Sequence, residues 1–169
     1  MTSVTFEIYA MKDDAVVEIP EGNLSESLER FRALLRTVSV LDGALVIAVE
    51  GQDPLYVVDE LWAAVQNLCF TCPVEVWAQR RERFLYRFTS SSEQIVVSVH
   101  GDHVRLLPSD GAEVTAPQRE LFLPLYACGE RFVQFLRDLH GPEDATVRHL
   151  EPFADRARAA LETHGSGTS

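Results

Sequence analysis

Cys69-Phe70-Thr71-Cys72 has the spacing used by redox and zinc sites. In a redox site of the thioredoxin kind the pair follows a strand and opens a helix, whose N-terminal dipole lowers the thiol pKa. Here the order is reversed. The pair closes a predicted helix and runs into Pro73 and a predicted strand, where the dipole disfavours a thiolate. Zinc needs a second pair of ligands, and only Cys128 with His100, His103 or His140 offers one, at none of the usual spacings. Packing of small, apolar thiols in a core is the reading for all three cysteines.

His100-Gly101-Asp102-His103 is a second constellation. Gly-Asp suits a two-residue hairpin turn, which would set the two imidazoles opposite each other about 5 Å apart at Cβ. Two imidazoles do not complete a metal site; Glu93 or Asp110 would have to fold beside them, so the expectation is an exposed hairpin tip and no cofactor. His140 and His149 have no partner that the sequence identifies. The chain has no GxSxG elbow, no GxGxxG after a strand, no GxxxxGKS phosphate loop and no HExxH helix, and no enzymatic activity is expected of it.

Arg80, Arg81, Arg83 and Arg87 interleave with Phe84 and Tyr86, a mixture that single-stranded nucleic-acid binders use. The charge of the whole chain, −11 with a sequence pI near 4.8, opposes phosphate and anionic lipid, so neither nucleic acid nor membrane is an expected partner. The surplus is uneven. Residues 1–60 hold 12 Asp and Glu against 4 Lys and Arg, whereas residues 61–141 are nearly balanced, with 9 acids against 8 arginines. An acidic region of this kind steers a basic protein toward itself. The basic complement, 14 Arg to one Lys, points to a GC-rich bacterial coding sequence.

These residues are positioned by a single predicted α+β domain spanning residues 1–163, with a disordered tail over 164–169. Val4, Phe6 and Ile8 alternate with Thr5, Glu7 and Tyr9, and Val17 and Ile19 follow the Lys12-Asp13-Asp14 turn, which makes a hairpin. Asn23 and Glu26 form a capping box for a helix whose apolar face is Leu24, Leu28, Phe31, Leu35 and Val38. Ala44 to Val49 is a continuous apolar run, suited to a strand covered on both faces. Leu55, Val58, Leu61, Trp62, Val65 and Leu68 predict a second helix from Asp53-Pro54. Four strands around Val74–Ala78, Phe84–Phe88, Ile95–Val99 and Val104–Leu106 predict an antiparallel meander. Thr115 and Gln118 cap a long helix interrupted by Pro124, and a last helix follows Pro152. The order is ββαβαββββαα, a meander sheet packed by about four helices. No apolar run is long enough to span a bilayer and the first residues lack a signal-peptide pattern, so a cytoplasmic location is expected.

A small, acidic, motif-free α+β chain, with Asp13-Asp14 at a turn and Glu18, Glu21, Glu26 and Glu29 following, resembles the immunity proteins that protect bacteria from their own polymorphic or contact-dependent toxins. The likeness is of overall type. It implies a basic protein partner, such as a toxin domain whose active site is occluded by the acidic face, and it makes those six residues the expected partner-binding region. An alternative is a small-molecule-binding or enzymatic domain whose pocket lies between the meander and the helix near Pro124, using Tyr126, Cys128, Trp77 or His100. A third reading is a homodimer formed through an exposed apolar helix face.

Overall fold

The computed structural model describes residues 1–36, 38 and 40–165, without the side chains of residues 25–28, 30, 31, 164 and 165. The period-two pattern at the start becomes β1 (Thr2–Lys12), which buries Val4, Phe6, Ile8 and Ala10 and turns Thr5, Glu7 and Tyr9 the other way. Asp13 and Asp14 take left-handed φ values of 51° and 63°, as a two-residue hairpin turn of the primed type requires. The chain returns as β2 (Ala15–Pro20), and α1 (Glu21–Arg36) follows directly. Asn23 therefore lies inside α1 instead of capping it, and Val38 lies beyond its end.

β3 (Asp42–Val49) and β4 (Leu55–Glu60) complete an antiparallel sheet ordered β2-β1-β3-β4. The helix expected from Leu55 begins only at Leu61. Leu55, Val57 and Asp59 point inward while Tyr56 and Val58 are exposed, a strand alternation that also satisfies helical spacing through Leu55, Val58 and Leu61. The next helix, α2, runs over 61–78 and absorbs the strand expected at Val74 to Ala78. One α turn (Leu61–Ala64) widens into π-type turns over Val65–Thr71 and Pro73–Ala78. A proline inside an ordinary α-helix meets the carbonyl four residues back and leaves an acceptor unpaired; the wider turn around Pro73 is the local form that this disruption takes. Leu61, Ala64, Val65, Leu68, Cys69, Phe70, Cys72, Val74 and Val76 are all buried, so α2 has no broad polar face from which a helical period can be read.

β5 (Arg83–Arg87), β6 (Gln94–His100), β7 (His103–Pro108) and β8 (Val114–Pro117) form the second sheet, a meander in sequence order. Thr115, expected to cap a helix, lies in β8. Its N–H donates to Gln52 Oε1 (2.9 Å) and its carbonyl accepts from Gln52 Nε2 (2.7 Å), so one side chain pairs this edge as a strand would. α3 (Gln118–His140) is one helix through Pro124 and ends at Gly141, φ 95°. α4 (Ala145–Gly165) starts well before Pro152, because Asp144 Oδ1 accepts from the N–H groups of Thr146 (2.9 Å) and Val147 (3.1 Å). Residues 164 and 165 of the expected tail are thus helical, and 166–169 lie outside the described residues.

The observed order is ββαββαββββαα, with eight strands in two sheets instead of seven in one meander-dominated sheet, and the α+β class holds. One core joins the inner faces of both sheets to α2 and α3. Phe6 of β1 meets Phe132 of α3 edge-on at 5.3 Å, and Trp77 of α2 stacks on Phe122. The sheets are also tied by Asp59, a buried carboxylate on β4. Its oxygens accept from Tyr86 Oη, from the N–H (2.8 Å) and Oγ1 (2.7 Å) of Thr89, and from the N–H (3.0 Å) and Oγ (2.8 Å) of Ser90. Burial works to raise the pKa of Asp59, but these hydrogen bonds outweigh it and hold the group down at about 2.

Candidate partner-binding face

Strand register places one set of side chains on the side of the first sheet that faces away from the core. Tyr9 stands opposite Glu18 on β2 and Asp42 on β3; Asp42 stands opposite Glu60 on β4; Val46 stands opposite Tyr56; and Ala44 stands opposite Val58. Tyr56 is 53 % exposed and Val58 48 %. Glu18, Asp42 and Glu60 form a row with Tyr9 across one end of this apolar patch, Glu7 stands beside Ala44, and the exposed Met11 and Val16 lie beyond the acidic row; no Lys or Arg among the described residues projects from these strands on this side. The β3 run, expected to be covered on both faces, is covered on its outer side only at Ala44; Val46 and Ala48 on that side are half-buried.

The face is negative in its local chemistry as well as in its count. Tyr9 Oη donates to Glu7 Oε1 (2.8 Å), and partial burial, this bond and the charges of Glu7 and Glu18 push the phenol above its usual range. Asp42 and Glu60 are like charges directly opposite each other, an arrangement that costs stability in a sheet. Glu60 accepts from Trp62 Nε1 (2.8 Å), which fixes its carboxylate without neutralising it.

Of the six residues expected from the sequence, Glu18 lies on this face, and Asp13 and Asp14 lie at the hairpin tip beside it. Glu21 is turned into the molecule. β2 pairs with β1 only from Glu7 onward, so the Val4 carbonyl and the Phe6 N–H are left at an open edge. Arg131 Nη2 donates to Val4 O (2.8 Å), Glu21 Oε2 accepts from Phe6 N (3.3 Å), and Arg131 and Glu21 pair with each other. Glu29 pairs with Arg32 at 3.0 Å on α1, whose Leu24 and Leu35 enter the core, so Glu29 lies on the other side of the sheet. The side chain of Glu26 lies outside the described residues. Glu7 and Tyr9, unrecognised as site residues, stand in the polar half of the β1 alternation; Tyr56 and Val58 were hidden by the helical reading of their segment.

Cys69, Cys72 and Cys128 are buried in the core as free thiols, and burial raises the pKa of Cys69 and Cys72. His100 and His103 do pair across the β6–β7 hairpin, exposed to solvent, His103 Nδ1 lying 2.7 Å from Asp102 Oδ1. Among the described residues no group of three or more His, Cys, Asp or Glu is placed to hold a metal ion. Phe84 and Tyr86 point into the core while Arg83 and Arg87 point out, so these two rings do not stand beside those arginines, and Arg81 pairs with Glu75. Near Pro124, Tyr126 is turned to Glu130 and Arg158, Trp77 packs on Phe122, Cys128 is buried and His100 lies at the hairpin; these four do not line one pocket. A groove of about 320 Å³ between α3 and α4 is bridged by Arg137–Glu151 and Arg158–Glu130 ion pairs, each at 2.7 Å. No described helix is long and apolar enough to cross a membrane.

Known protein families, curated proteins and solved structures were compared with the chain, and none matches it.

Proposed function

We propose that this protein is a protein-binding inhibitor of the immunity type, which occludes a basic partner with the outer face of its first sheet. The observation that carries this reading is the combination of Tyr9, Tyr56 and Val58 with four carboxylates, and with no Lys or Arg among the described residues, on one open sheet face. Exposed aromatic and aliphatic side chains beside a row of charges suit a protein interface. Carboxylates there accelerate encounter with a basic surface and set its register. Asp13 and Asp14 extend the same field to the hairpin tip.

Association kinetics with the purified partner separate the two contributions. Glu18→Lys is expected to slow association several-fold at low salt and by little at high salt, whereas Tyr56→Ala is expected to speed dissociation at least about tenfold with little change in association. Unaltered rates in both variants would remove the face from the interface.

A further inference from the structure

The second sheet also has an open face, and its chemistry is the inverse of the first. Leu85 stands opposite Val96, and Val96 opposite Leu107, an apolar row across three strands in which Leu85 and Leu107 are 41 % and 40 % exposed. Arg83, Arg87, Arg105, His100 and His103 flank that row, and among the described residues no carboxylate of these four strands projects on that side, where Glu113 and Asp102 reach in from the adjoining loops. Glu113 compensates Arg105, and Asp102 lies against His103. Arg83 and Arg87 have no ion-pair partner among the described residues. They flank the row on β5, with Arg83 opposite Ser98 and Arg87 opposite Gln94.

We infer that this face docks the outer face of the first sheet of a second copy of the chain, Arg83 and Arg87 meeting the row of carboxylates beside Tyr56 and Val58. Charge complementarity selects this occupant. The first face sets Tyr56 and Val58 beside a row of carboxylates, the second flanks its apolar row with Arg83 and Arg87, and these charges are of opposite sign. Nucleic acid would satisfy the arginines but leave the Leu85–Val96–Leu107 row against phosphate and sugar. Because two different patches meet, the contact is head-to-tail, and each added copy leaves one face of each kind free. From strand spacing and rise, a four-stranded face measures about 15 by 20 Å, far less than the roughly 800 Å² per partner of a standard complex. The association is accordingly weak and salt-sensitive, and a basic partner that reaches beyond the sheet to the hairpin tip would displace it. The inference does not depend on the proposed function, although the two use one face.

Sedimentation of the whole chain tests this without any partner. At low salt the wild-type mass should rise above 18.9 kDa with concentration and return to it at high salt. Two variants then establish the direction of the contact. Tyr56→Asp with Val58→Asp abolishes one face, Arg83→Glu with Arg87→Glu abolishes the other, and each variant alone should be monomeric. Mixed in equal amounts, they retain one wild-type pair of faces and should form a dimer that grows no further, since the altered faces repel; its recovery also shows that both variants are folded. A wild-type mass independent of concentration at low salt would overturn the inference, as would a mixture that stays monomeric or a variant that still associates with itself.

Discussion

Asp59→Ala is expected to lower the unfolding free energy by about 3–5 kcal/mol, the range for removing one partner from a buried charged network. The carboxylate is 2 % exposed, and donors from Tyr86, Thr89 and Ser90 converge on it from the second sheet. Without it, backbone and hydroxyl donors in the Thr89–Ser90 turn face one another around a void, and each unsatisfied buried group is penalised. Asp59→Asn keeps the volume but turns an NH₂ toward groups that themselves donate, so it should lose most of the same stability. The network also predicts acid sensitivity. The folded pKa of about 2 lies below the unfolded carboxylate value, so the stabilisation is fully present above about pH 4 and is lost as pH falls toward 2. Urea unfolding at neutral pH and near pH 3 checks both points: the wild type should weaken through that window, while the Asn variant should start weaker and lack this contribution to the slope. A neutral-pH difference below about 1 kcal/mol would contradict the clamp.

Gly43→Ala is expected to cost about 3 kcal/mol, the upper end for overpacking a well-filled site. A Cβ at this position would lie 2.0 Å from the Glu7 carbonyl oxygen and 2.8 Å from Leu61 Cδ1. The first of these atoms belongs to the backbone of the neighbouring strand and cannot rotate aside, so β1 and β3 must move apart. Glu7 and Asp42 flank the contact, and partner binding should fall with stability. Gly22→Ala in α1 is the control: nothing lies within 4 Å of its Cβ, and the change should be neutral or stabilising by up to about 1 kcal/mol in thermal melts. Equal melting temperatures for Gly43→Ala and wild type would mean that the strands yield at no cost.

The β1–β2 hairpin, the β6–β7 hairpin and the long amphipathic α3 were legible because each buries one face and leaves the other in water, which writes a period into the residues. β4 and α2 were not, for opposite reasons. Leu55, Val58 and Leu61 mimic a helical stripe across a strand–helix junction, whereas α2 is buried nearly all round and leaves only the Val74–Val76–Ala78 alternation to be read, as a strand. The acidic bias was legible as a segment but not as a surface. Glu18 and the Asp13–Asp14 tip fall at the candidate face, yet Glu21 is drawn to Arg131 by an unpaired stretch of β1, a long-range requirement that no local pattern encodes. Asp42, Tyr56 and Glu60 join the face only through strand pairing, which spacing along the chain does not give.

Recognition of a basic protein by the open face of the first sheet, as proposed, can be put to a direct test. Capture from the native lysate on the wild-type chain, at low and high salt, beside a Glu7→Lys/Glu18→Lys/Asp42→Lys variant and a Glu29→Lys control, tests it most directly. The expected result is a stoichiometric basic partner that is held by the wild type and the control, weakened by salt and lost to the triple variant; a partner retained by the triple variant, or the lack of one on the wild type at either salt, would overturn the proposal.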